Sequence, residues 1–205
     1  TTGTYQGYWR LRDKAGLKFG TGESGEKDFW VKITVGKPSG IAYDFIAQAS
    51  KAAWVSSGGN GQTTLNFGGA DGDPNGVAKL KQDIKLENRS EAGVTLITHP
   101  KHVDHGSIYG TFPEYAVQNG DHFRSKLGFL DDCGEGDVLF QLWYQVDQVQ
   151  NKLAEWSDSC DGNLVFVDTD LSNIVGEKVQ FMLVVSANGS PLDDLAIWGS
   201  TRIER

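Results

Sequence analysis

"KVQFMLVVSANG", residues 178–189, decides the fold. Val179, Phe181, Leu183 and Val185 alternate with Gln180, Met182, Val184 and Ser186, and Asn188-Gly189 ends the run. A period of two sends successive side chains to opposite faces of a pleated strand, and Asn-Gly supplies a tight turn. The same grammar runs outward along the chain. "DVLFQLWYQ" (137–145) sets Val138, Phe140, Leu142 and Tyr144 against Leu139, Gln141, Trp143 and Gln145. "HFRSKLGFL" (122–130) puts Phe123, Ser125, Leu127 and Phe129 opposite His122, Arg124 and Lys126. "NLVFVDTDL", "GVTLITH" and "SIYGTF" read as further strands, and Gly/Asn/Asp/Pro clusters punctuate them: "GGNG", "GGADGDPNG", "QNGD", "CGEGD", "CDGN". The one helical candidate is "IAYDFIAQASKAAW" (41–54). The expected fold is all-β, an antiparallel β-sandwich or jelly roll.

Bulk composition narrows the class. A chain of 205 residues buries a proper core as one large β domain or two small ones. No apolar run is long enough for a membrane-spanning helix, and no basic-then-apolar leader opens the chain. With 19 basic and 27 acidic residues the net charge is −8, which argues against a nucleic-acid partner. The many glycines and aromatics suit an extracellular β protein. Cys133 and Cys160 lack zinc-knuckle or redox spacing, and each borders an acidic turn. One disulfide between them would close a loop of roughly 26 residues, worth about 3 kcal/mol, and would imply an oxidising, secreted setting.

A Gly/Pro/Ser break, "VGKPSG" (35–40), follows the strand "FWVKITV". It divides the chain into a small unit at 1–36, a linker at 37–41 and a sandwich at 42–205. "GTYQGYWRLRDKAGLKFG" (3–20) followed by "FWVKITV" (29–35) resembles the final strands of the four-tryptophan Ig-like domain of bacterial surface proteins. The earlier strands of that family are missing. Such a fragment is marginal alone and leaves Tyr8, Trp9, Phe19, Phe29 and Trp30 to be covered. Three coverings compete: the rest of a longer protein from which the chain is cut, the sandwich of the same chain, or a neighbouring subunit adding strands.

From about Gly120 the chain resembles the NPCBM type of carbohydrate-binding module, a galactose-binding-domain-like jelly roll of secreted glycosidases. The resemblance rests on "HFRSKLGFLDDCGEGDVLFQLWY" and "VDTDLSNIVGEKVQFMLVVSANGSPLDDLAIWGSTRI", including the closing Asp194, Ala196 and Trp198. It implies a glycan-binding module without catalytic function. The residues add their own support. Sugars stack on flat, solvent-facing aromatics flanked by polar groups. Trp143 faces outward by alternation, Trp156 ends "NKLAEW" beside an acidic turn, and Trp54 precedes a glycine-rich loop. For each, ordinary packing is the rival reading.

Metal chemistry has three candidate places. "DGDPNG" supplies Asp71, Asp73 and Asn75 in the pattern of half a Ca2+ loop, although Gln82 stands where the closing acid belongs. Asp193 and Asp194 form a second oxygen pair. "THPKHVDHG" holds His99, His102 and His105 with Asp104, close to the H-x-H-x-D-H pattern of zinc hydrolases but with the first spacing one residue too long. His102 and His105 also count as ligand contacts.

Three expectations follow. The leading one is a secreted, non-enzymatic module of a bacterial surface that binds a cell-surface polysaccharide or serves adhesion, with Ca2+ as its only cofactor. The second is a subunit of an extracellular filament or surface layer, assembled by strand complementation through the Ig-like strands. The third is a zinc-dependent hydrolase built on the histidine cluster.

Overall fold

The computed structural model describes residues 3–35, 40–59, 61–87 and 90–205. The chain divides into two compact units, Thr1–Gly40 and Ile41–Arg205. Lys37–Ser39 of the expected linker lie outside the described residues.

The first unit holds β1 (Gly3–Trp9), β2 (Leu11–Arg12), β3 (Lys18–Phe19) and β4 (Phe29–Val35). β2 and β3 form a brief hairpin closed by Asp13, whose carboxylate accepts from the amides of Ala15 and Leu17 (2.9 and 2.8 Å). β1 pairs along its whole length with β4, from Gly3 opposite Val35 to Trp9 opposite Phe29. Directly opposed residues share a face. Tyr5, Trp9, Phe29, Val31 and Ile33 therefore make one apolar face, and Tyr8 and Trp30 stand together on the other. Tyr8 and Trp30 are 62% and 61% exposed, and Trp9 and Phe19 are also exposed.

The second unit carries the sandwich. Its strands are β5 (Ile41–Asp44), β6 (Ala53–Gly58), β7 (Gly61–Leu65), β8 (Val77–Lys85), β9 (Ser90–His99), β10 (Ser107–Thr111) and β11 (Tyr115–Ala116). Then come β12 (His122–Phe129), β13 (Asp137–Val146), β14 (Val149–Ser159), β15 (Val165–Asp170), β16 (Lys178–Ala187) and β17 (Ala196–Glu204). One sheet runs β14-β13-β16-β10-β6-β7, with β11 also on β16. The other runs β15-β12-β17-β9-β8, with β5 also on β17. Every pairing is antiparallel. The expected antiparallel jelly-roll sandwich is thus the fold.

The inward faces follow the alternation. Phe123, Leu127 and Phe129 of β12, Val138, Phe140 and Leu142 of β13, and Val179, Phe181, Leu183 and Val185 of β16 are buried in one core. Trp198 lies there too, edge-on to Phe140 at 5.1 Å. The expected 41–54 helix shrinks to one turn, α1 (Phe45–Gln48), capped by Asp44 accepting from the Ala47 amide (3.0 Å), and a short 3₁₀ turn. The reason is that β5 and β6, on either side of it, gain more by joining the two sheets.

Two tryptophans expected at the surface are structural. Trp54, 1% exposed, sits in β6 with Phe112 edge-on and Phe67 stacked, and its Nε1 donates to the Ala49 carbonyl (2.9 Å). Its ring covers Gly110 on the neighbouring strand, where a Cβ would stand 2.7 Å from it. Trp156 lies directly opposite Phe140 on β14 and so shares the core face, stacked on Phe123 at 6.4 Å.

Candidate functional site

Trp143 alone of the three candidate tryptophans stays on an outer face. β13 sets Phe140 and Leu142 inward, so Gln141 and Trp143 point to the solvent side of the β14-β13-β16-β10-β6-β7 sheet. The cross-strand register extends this row: Gln141 opposes Val184, Val184 opposes Tyr109, Tyr109 opposes Val55, and Val55 opposes Thr64. A groove of about 320 Å³ lies over these strands, lined by Trp143, Tyr109, Gln141, Met182, Ser107 and Ser186 among others. Gln62 of β7 and Gln150 of β14 line it at its two edges.

The indole of Trp143 is held in place. Its Nε1 donates to Gln141 Oε1 (3.0 Å), Gln141 Nε2 donates to Glu155 Oε2 (3.3 Å), and Lys152 donates to the same oxygen (2.6 Å). The Lys152 hydrogen bond, followed by that of Gln141, holds the Glu155 carboxyl below the ordinary glutamate range. This chain orients the ring and leaves its apolar surface in the groove with Met182. A partly exposed aromatic plane, a second ring and several amides and hydroxyls make a surface chemically suited to stacking on a sugar and bonding its hydroxyls.

A second cavity, about 360 Å³, lies at one end of the sandwich, lined by Asp71, Asp73, His99, His102, Pro191, Leu192 and Asp193, among others. Register brings these together: Val77 opposes His99, and Ala196 opposes Thr98, so the loops before β8, after β9 and before β17 meet. Most of the metal candidates gather here, but their donor atoms do not converge. Asp71 is paired with Lys79 and Lys81, and its carboxyl is lowered chiefly by the Lys79 hydrogen bond. Asp73 Oδ1 accepts from the Asn75 amide (2.9 Å) and from Asn75 Nδ2 (3.2 Å), an ordinary Asx turn. The half-loop that reads as a Ca2+ site folds here as a turn whose first acid is paired with lysines.

The histidines behave similarly. The rings of His99 and His102 meet face toward face, 4.2 Å apart and tilted 35°. His99 Nδ1 donates to the Pro100 carbonyl (2.7 Å), and burial, its main influence, lowers its pKa. His105, at φ 56°, uses its backbone amide to bond the Gly189 carbonyl (2.7 Å) and does not line the cavity. Among the described residues, the one place where three His, Cys, Asp or Glu side chains converge is Glu87, Cys133 and Cys160. There the two sulfurs are joined to each other: Cys133 and Cys160 form the disulfide, with Cα atoms 5.8 Å apart.

Asp193 and Asp194 part company. Asp193 (φ 63°) faces the end cavity, whereas Asp194 is fully buried and accepts from the Asp137 amide through Oδ1 (2.9 Å). Its Oδ2 has no hydrogen-bond partner among the described residues, and burial pushes its carboxyl up to about 7. Asp158, on β14, shows the same combination, pushed up to about 7 by burial and then by Glu87.

Sequence reasoning missed Tyr109, Gln62 and Gln150. β10 was legible, so the outward alternation of Tyr109 was available. The β6–β7 hairpin, which delivers Gln62, carried too little apolar patterning to read.

No protein-family model matches the chain, and no curated protein does. Solved structures are similar at low identity. One is CBM51-2 in complex with GlcNAc and INT domains from Clostridium perfringens ZmpB: 17% identity, TM-score 0.47, covering 100% of this chain and 38% of that one. Another concerns carbohydrate-binding modules of the β-sandwich superfamily, at 11% identity and TM-score 0.49, covering 99% of this chain and 74% of that one. A third is CBM51 from Clostridium perfringens GH95 with methyl-galactose, at 18% identity and TM-score 0.43, covering 68% of this chain and 94% of that one. The chain thus spans well under half the length of the first of these.

Proposed function

We propose that residues 41–205 form a non-catalytic glycan-binding module of a secreted or surface protein, with the Trp143 groove as its site. The observation that carries this reading is the pinned, partly exposed indole of Trp143 in a groove that also holds Tyr109, Gln141 and serine hydroxyls. Such a ring offers its face to the C–H side of a pyranose without first losing rotamer freedom. The disulfide between Cys133 and Cys160 accords with an oxidising compartment. A glycan array probed with the whole chain and with Trp143→Ala tests the reading. Binding should fall at least about tenfold in the variant, the loss of roughly one stacked ring. Full binding by Trp143→Ala would remove the site.

A second reading concerns the first unit. Its Tyr5–Trp9–Phe29–Val31–Ile33 face is apolar throughout, and β1 and β4 make up a two-stranded sheet. A second copy adding strands there would extend that sheet and cover its apolar face. This reading predicts concentration-dependent association in sedimentation velocity, abolished by Trp9→Ser with Trp30→Ser. A chain that remains monomeric at high concentration ends it.

A further inference from the structure

We infer that the outer-face groove takes an internal stretch of an uncharged glycan chain lying across the strands, in preference to a chain end or an acidic sugar. The inference rests on the glycan-binding reading above and adds to it the ligand's length, direction and charge.

Direction comes from the register. The lining residues belong to β7, β10, β16, β13 and β14, so the groove crosses the sheet from one edge strand to the other. Five inter-strand steps separate β7 from β14 in that sheet. At about 4.8 Å per step this is about 24 Å along the surface, several times the width of one sugar ring. Among the described residues, Gln62 on β7 and Gln150 on β14 line its two ends, and both are exposed amides rather than bulky rings. A site for a chain terminus needs a wall to stop the first ring, and these two amides do not make one.

Charge comes from the composition of the lining. Gln62, Gln141 and Gln150 offer amides, Ser107 and Ser186 hydroxyls, Tyr109 a phenol, and Trp143, Met182 and Val184 apolar surface. None of these lining residues is Asp, Glu, Lys, Arg or His. On β14, Lys152 and Glu155 are paired with each other, and Glu155 also accepts from the Gln141 amide. An acidic sugar would lose hydration there without gaining a cation. A neutral polyol meets donors and acceptors of its own kind.

The experiment is titration calorimetry of the whole chain with graded lengths of neutral oligosaccharides drawn from the polymers it retains in affinity gels, with acidic polymers run in parallel. Affinity should climb at least about tenfold from disaccharide to the length that fills the groove, then level off, with little dependence on salt. Gln62→Ala and Gln150→Ala, at exposed positions that leave the fold intact, should each weaken the long chain several-fold and leave the disaccharide unchanged. Equal affinity for short and long chains, preference for an acidic polymer, or indifference to both glutamine variants would overturn the inference. Length-independent binding that still needs Trp143 would leave the glycan-binding reading standing. Binding of no glycan at all would end both.

Discussion

Trp143 differs from Trp54 and Trp156 only in where its strand points it, and it depends on neighbours to hold it flat. Gln141 accepts from its indole and is itself steered by Glu155 and Lys152. Gln141→Ala should therefore weaken glycan binding by about three- to tenfold, a loss of about 1 kcal/mol, with thermal stability unchanged. Because Glu155 is held ionised below its ordinary range, that positioning should persist across neutral and mildly acidic pH. Two other carboxyls act in the opposite direction. Asp158 and Asp194 rise from 3.8 to about 7 because burial disfavours their charged forms. A folded-state pKa above the unfolded one means the native state binds protons more tightly. The contribution is fully present below about pH 4 and is lost as pH climbs through 7, by at most about 4 kcal/mol per group. Melting scans between pH 5 and pH 8 should show this decline; Asp121, whose carboxyl burial would raise but Arg205, the Gln118 amide and Tyr115 lower overall, loses its contribution only in acid, below about pH 4. Asp194→Asn should flatten the slope; an unchanged slope would mean that Asp194 is not neutral at pH 5.

At the scale of elements, the sandwich depends on how closely its strands approach. The Trp54 ring lies over Gly110, with 2.7 Å to the position of a Cβ, so Gly110→Ala should cost about 1–3 kcal/mol through displaced packing. Trp54→Ala should cost about 3–5 kcal/mol by leaving a cavity. Glycan affinity per folded molecule should survive both, since neither residue lines the groove. Urea melts combined with calorimetry separate these effects. The disulfide staples the β12–β13 loop to the end of β14, and Glu87 reinforces it by accepting from the amides of Asp161 (3.1 Å) and Gly162 (2.9 Å). Replacing both cysteines with serine should lower stability by about 3 kcal/mol, read in the same melts. Why β14 escaped a sequence reading is visible here: "VQNKLAEWSDS" does not alternate cleanly because β14 carries an extra residue, Leu153, between the partners of Leu142 and Trp143, which shifts the register midway.

For the whole molecule, the chain itself determined the class of fold and the inward half of most strands. Alternation in β12, β13 and β16 is local, and burying one face of a period-two strand is the only way to satisfy it. The same pattern set Trp143 outward and Trp198 inward, and the acidic turns placed both cysteines near enough to pair. What alternation cannot reveal is which strands become neighbours. The opposition of Trp156 to Phe140, the meeting of the loops around His99, and the row from Thr64 to Gln141 all depend on strands far apart in the chain. Sequence spacing hides the orientation of the clustered histidines and of the D-x-D turn. In the folded chain Lys79 and Lys81 hold Asp71, and the two imidazoles present their faces to each other. Strand character was therefore written locally, whereas the groove and the fate of each candidate ligand were decided by long-range register, which no single segment contains.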